Sequence, residues 1–184
     1  MVEKKVVDKS CPKWNLEMFY KSIDDPQIAA DVNTVIDLSR KFFSFKGQLN
    51  KHLEDAIKID IEISELENKI FVYFSLLLAT NAGNEKIEKV QSIFEEKISK
   101  EVSPLTAYAS IEIGAMSEAD YTRQLSESAL LMKHKSSLDY TRLLAKHNLT
   151  EDVEIALSKR SPFGAGIWDD IMDELDTKIK FKNP

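Results

Sequence analysis

Three histidines, one cysteine and 31 acidic residues are the side chains that could do metal, nucleophilic or acid–base chemistry in this chain of 184 residues. The imidazoles stand singly at His52, His134 and His147. None opens an H-E-x-x-H run, which would set two imidazoles one helical turn apart on a zinc ion. His52 has Asp55 and Ala56 at its helical neighbours and reads as a surface or half-buried residue. His134 lies between Lys133 and Lys135, whose charges repel a cation. His147 falls at a helix end, where an imidazolium suits the helix dipole. Cys11, beside Pro12, has no histidine near it in sequence to act as its base.

The carboxylates are many, but they read as solvated faces. Glu65/Glu67 and Glu95/Glu96 have Lys69, Lys97 and Lys100 close by, in pairs worth about 0.3–0.5 kcal/mol each. Asp169-Asp170-Asp173-Glu174 is the densest acidic patch. A hard cation there would lack the glycine-turned loop of an EF-hand, so the patch is read as surface. No phosphate-binding G-x-x-x-x-G-K-[ST], no dinucleotide-binding G-x-G-x-x-G and no G-x-S-x-G elbow occurs. Trp14, Phe19, Phe71, Phe74 and Trp168 fall at core spacing and are expected in the core rather than on a stacking platform for bases. The residues thus assign no catalytic, cofactor-binding or metal-binding position.

The elements that would position any site are helical. Ala56, Ile59, Ile63, Leu66, Ile70, Tyr73 and Leu77 recur at spacings of three and four, the stripe of a long central helix. From Ile70 to Ala79 the segment carries no charge, which predicts a helix end wrapped by neighbours. Ten residues reach about 15 Å, half of a bilayer core. Residues 57–63 alternate like a half-buried strand, yet no Gly or Pro interrupts the chain between Gln48 and Asn81. β-branched isoleucine costs a helix only a few tenths of a kcal/mol per residue, so helix is preferred.

Around this helix the chain is punctuated. Asp25-Pro26 starts a first helix running to about Phe45, with Ile28, Val32, Val35, Ile36, Phe42 and Phe43 inward, and Gly47 ends it. Asn81-Ala82-Gly83-Asn84 turns the chain into a third helix with Ile87, Val90, Ile93, Phe94, Ile98 and Val102 on one face. Ser103-Pro104 is expected to restart it, and Ser117 to cap the next helix, which shows Tyr121, Leu125, Leu131 and Met132. A break near Ser136-Ser137 precedes Leu138, Leu143 and Leu144. His147-Asn148-Leu149 is a corner, and Thr150 caps a short helix with acids in its first turn. Residues 161–166 form a loop, and a last helix holds Ile167, Trp168, Ile171, Met172, Leu175 and Ile179. Ile179-Lys180-Phe181-Lys182 then alternates like the start of a strand. The expected fold is all-α: a flexible lead-in at 1–13, then a single helical domain over 14–184, built on a long antiparallel helical hairpin.

Composition agrees. Hydrophobic residues make up 43% and charged residues 30%, and Gly and Pro number five each, too few for the frequent turns of an all-β fold. A net charge of -6, with no basic cluster, argues against nucleic acid and against anionic membranes as partners. A single cysteine allows no intramolecular disulfide and fits a reducing, cytoplasmic compartment. Met1 to Lys9 is charged and lacks the apolar core of a signal peptide, so the sequon Asn148-Leu149-Thr150 is read as fortuitous.

Five motifs in order resemble the start of an oligoendopeptidase F, within the thimet oligopeptidase-like zinc metallopeptidases. They are Trp14-Asn15-Leu16 with Tyr20, Asp24-Asp25-Pro26, Phe45-Lys46-Gly47-Gln48-Leu49, His147-Asn148-Leu149-Thr150 leading into an acidic helix, and Trp168 to Leu175 with Phe181. Asn15 stands where the family has Asp. The resemblance implies the N-terminal helical region, one wall of the channel that admits short peptides. The family's zinc ligands and catalytic Glu lie in a downstream part that this sequence does not contain. The implied product is truncated or split, without zinc of its own and inactive alone, with the downstream catalytic part as its partner. The alternatives are a stand-alone helical interaction module, which would expose an apolar docking patch, and an unrelated metal enzyme, which would hold stoichiometric metal.

Overall fold

The computed structural model describes residues 14–81 and 83–161 and, further on, residues 164, 167, 168, 171, 172, 175 and 179. Between residues 14 and 161 the described residues form eight α-helices: α1 Pro26–Phe43, α2 Leu49–Thr80, α3 Glu85–Thr106, α4 Tyr108–Ala115, α5 Glu118–Glu127, α6 Ala129–Lys133, α7 Lys135–Leu144 and α8 Glu151–Arg160. A 3₁₀ turn, Ala145–His147, joins α7 to the corner before α8. No strand occurs among the described residues, and the chain is all-α.

Local chemistry explains the first boundaries. Asp25 accepts the Gln27 N–H at 2.9 Å and the Lys21 N–H at 2.8 Å, and Pro26 occupies the first helical position, where its missing donor costs nothing. Ile28, Val32, Val35, Ile36 and Phe42 are buried along α1, while Phe43, expected inward, stands at the surface. The helix stops at Phe43, two residues sooner than expected, and the chain turns to Gly47 at φ +79°, a left-handed position that favours glycine. Its N–H donates to Glu112 at 2.6 Å, tying the turn to α4.

Residues 57–63 are helical, so the alternating isoleucines belong to α2. Ala56, Ile63, Ile70, Tyr73 and Phe74 are buried. The uncharged end is not wrapped all round, since Val72 and Ala79 face solvent. α1 packs on both α2 and α3, and more extensively than α2 and α3 pack on each other. The core is therefore built on three helices. Phe42 meets Tyr108 at 5.4 Å between ring centroids, and Tyr73 meets Phe74 at the same spacing.

α2 is bent at His52, whose φ of -126° and ψ of 28° leave the helical region. The cause is a side chain inserted into the helix ladder. Gln124 of α5 accepts the Leu53 N–H at 3.0 Å and donates to the Leu49 carbonyl at 3.1 Å. Those are the two groups that an unbroken helix would join to each other.

Several expectations are corrected. Pro104 does not restart a helix, because α3 passes through it. Proline deletes one ladder bond there, and the Ala107 N–H still reaches the Ser103 carbonyl at 3.1 Å. The later break falls not at Ser136-Ser137 but at two points. Ser128 caps α6 by accepting the Leu131 N–H, and His134 separates α6 from α7. Ser117 caps α5 as expected, accepting from Asp120. Thr150 precedes α8, but its side chain caps nothing; Glu154 accepts the Leu149 N–H at 2.8 Å instead. Ile93, Met132, Leu143 and Leu144 are exposed rather than inward.

Trp14 and Trp168, expected in the core, are 63% and 68% exposed. Residues 167, 168, 171, 172 and 175 are helical, and every one of them faces solvent. The lead-in at 1–13 with Cys11, the acidic patch at 169–174 and the strand start after residue 179 lie outside the described residues.

Candidate functional site

The histidines stay apart. His52 sits at the bend of α2, partly exposed, with Nδ1 3.9 Å from Asp55. His134 is half-buried between α6 and α7, and His147 is exposed at the end of the 3₁₀ turn. Among the described residues no group of three histidine, cysteine or acidic side chains could hold a metal ion, and no buried side-chain polar atom lacks a hydrogen-bond partner. The zinc implied by the family resemblance therefore finds no fitting donor set in the described part of this chain.

One densely bonded titratable group has no signature in the sequence. Asp31 of α1 accepts from the Tyr20 hydroxyl at 2.8 Å, from Gln27 at 2.6 Å and from the Lys69 ammonium of α2 at 2.8 Å. Lys69 also lies over the Tyr20 ring, 4.4 Å from its centroid. Burial alone would raise the Asp31 pKa, but Lys69, Gln27 and Tyr20 hold it below the ordinary carboxylate range. Burial, together with the bond to Asp31, pushes the Tyr20 phenol up. Every polar atom here is used within the protein, which makes the cluster a clamp between the leading segment, α1 and α2 rather than a ligand site.

A second clamp joins the later helices. Arg142 of α7 donates to the carbonyls of Ile113 at 3.0 Å and Met116 at 2.8 Å, closing the end of α4. It also reaches Glu118 at 2.9 Å and stacks over Tyr121 at 4.3 Å. Tyr121 in turn donates to Asp139 at 2.7 Å. At Gly114 a Cβ would stand 2.4 Å from that of Ala145, so the 3₁₀ turn presses against α4 where only glycine leaves room.

The chemistry left uncommitted lies in a groove of about 610 Å³ between α2, α3 and the end of α8. α2 contributes Glu67 and Phe71. α3 contributes Glu95, Ile98, Ser99 and Ser103, and α8 ends on it with Leu157, Ser158 and Ser161. Ser99 donates to the Ser158 carbonyl at 3.0 Å, which joins α3 to the α8 terminus. Glu95 accepts from Gln91 at 2.6 Å.

Glu67 is half-buried and, among the described residues, has no ion-pair partner. Burial, reinforced by the charge of Asp60 two turns earlier on α2, pushes its carboxyl up. The Asp60 carboxyl is itself raised by burial, against a lowering influence of His134. The expected lysine pairs do not form. Lys69 turns to Asp31, and Lys97 to Asn33 at 2.8 Å. For Glu67 and Lys69 the reason is geometric, since residues two apart on a helix do not share a face; Glu65 is four residues from Lys69, which is engaged by Asp31 instead.

Comparison with known proteins adds a family. Residues 112–181 match the family model described as Oligopeptidase F, in its N-terminal part. The match supports an N-terminal region of an oligoendopeptidase F-like protein and covers the His147 corner and the Trp168 segment, while the three earlier motifs precede it. No curated protein and no solved structure matches the chain. No helix among the described residues is long and apolar enough to cross a membrane.

Proposed function

We propose that this chain is the N-terminal helical domain of an oligoendopeptidase F-like zinc metallopeptidase, forming part of the wall of a channel that takes short peptides. The match over residues 112–181 carries the reading. The order of the motifs from Trp14 to Leu49, ahead of that match, supports it. In this proposal the metal and the acid–base glutamate come from another stretch of polypeptide, and the chain alone is not catalytic.

The test is to purify the chain, add zinc and follow cleavage of an unstructured peptide of about ten residues by mass spectrometry. No zinc-dependent cleavage is expected, and elemental analysis is expected to find zinc well below one per chain. Adding a catalytic part that carries H-E-x-x-H should bring cleavage. Turnover by the chain alone would overturn the assignment of catalysis to another part.

A second reading, a helical interaction module that pairs with a separately made catalytic part, is favoured by one observation. Leu143 on α7, Leu149 at the corner and Leu157 on α8 are each more than half exposed, as is Trp168 beyond them. Such side chains mark a contact surface where they adjoin one another on the folded chain. Capture of the catalytic part by the chain, lost in a Leu143→Lys/Leu157→Lys variant, would support this reading; equal capture by that variant would exclude this surface.

A further inference from the structure

The groove at the end of α8 combines features that suit one chemical class. Two carboxylates, Glu67 from α2 and Glu95 from α3, give it negative charge. The C-terminal end of α8 adds carbonyls whose dipole favours a cation. Its own Lys159 and Arg160 are exposed, and neither pairs with Glu67 or Glu95 among the described residues. The rest of the wall is four serines and three apolar side chains, with Phe71 half-buried, Ile98 buried and Leu157 at the rim, 52% exposed. About 610 Å³ is the size of a small-molecule cleft.

We propose that this groove binds a small amine: a primary ammonium held at Glu67 and Glu95, carried on an apolar stem that lies against Phe71, Ile98 and Leu157. A half-buried carboxylate that has no counter-charge among the described residues is costly, and an ammonium supplies a partner through a charge-assisted hydrogen bond. A hard metal ion suits the groove less, because calcium asks for six to eight oxygens and most of the exposed lining is carbon. The inference rests on the groove alone and stands or falls apart from the peptidase reading.

The test uses the whole chain, labelled with nitrogen-15, and phenethylamine as the probe. Amide shifts at Glu67, Ser99 and Ser158 should move saturably, with a Kd of about 1 mM for so small a ligand. N-acetylphenethylamine, which keeps the stem and loses the charge, should bind at least about tenfold more weakly. Glu67→Gln should weaken phenethylamine by about tenfold while its melting temperature stays level or rises, since the variant removes an unpaired charge. Equal binding of the acetylated probe would overturn the proposal, as would unchanged affinity in Glu67→Gln/Glu95→Gln. So would magnesium chloride reproducing the shifts, or acetyl-Leu-Lys-Leu-amide binding more tightly than the amine, which would make the occupant a metal or a polypeptide.

Discussion

A carboxylate with its side chain 9% exposed remains an anion only if its neighbours replace water, and Asp31 has three that do. Asp31→Ala would strand the Lys69 ammonium and the Tyr20 hydroxyl together, a loss of about 2–4 kcal/mol by the usual cost of orphaning a buried charged partner. Urea denaturation at neutral pH should read it. The pH dependence follows in sign. The folded pKa of Asp31 lies below its ordinary value of about 3.9, so its contribution is present above that value and is lost as pH falls through the folded pKa. The gap between wild type and Asp31→Ala should therefore narrow on acidification below about pH 4. At the other extreme, the phenols of Tyr20, Tyr108 and Tyr121 are all pushed up by burial. Their stabilisation is complete below the ordinary phenol value of about 10 and erodes above it, as the unfolded chain ionises first. Thermal melts should fall in temperature above about pH 10, with most of the tyrosinate absorbance rising as the chain unfolds, since Tyr140 alone of the five tyrosines is exposed.

At the scale of elements, the bend in α2 is held open by one amide. Gln124→Leu keeps the volume but leaves the Leu53 N–H and the Leu49 carbonyl without partners in a buried position. A cost of about 2–4 kcal/mol is expected, unless α2 straightens and joins the two groups itself. Hydrogen exchange at Leu53 separates the cases: rapid exchange means orphaned groups, and strong protection means a mended helix. This bend also shows where sequence reading stops. Asp25-Pro26, Gly47 and Ser117 were legible because each acts within a few residues of itself. The central stripe of α2 was legible because helical spacing is local as well. Gln124 acts on residues 71 and 75 positions away, and no local pattern announces that. Glu67 was misread for a related reason: the lysine two residues on points elsewhere, and the groove wall is built by α3 and α8. Proline's preference for the first helical position predicts a start at Pro104, yet packing of Ile98 and Val102 carries α3 through it.

At the scale of the molecule, polar clamps hold the helices at two places: Asp31 joins the leading segment, α1 and α2, and Arg142 joins α4, α5 and α7. The buried core lies between Tyr20 and Leu138, and beyond Leu138 the large apolar side chains among the described residues stand open, save the half-buried Ile155. The chain contains two tryptophans, and both are among those left in water. An excited indole relaxes against the solvent around it, so emission from the native protein should already resemble that of the denatured chain. Urea should then barely move the emission maximum while helical circular dichroism collapses. A polypeptide settling over Trp168 would shift the light to the blue, giving the protein a built-in lamp that ignores its own unfolding and reports its company.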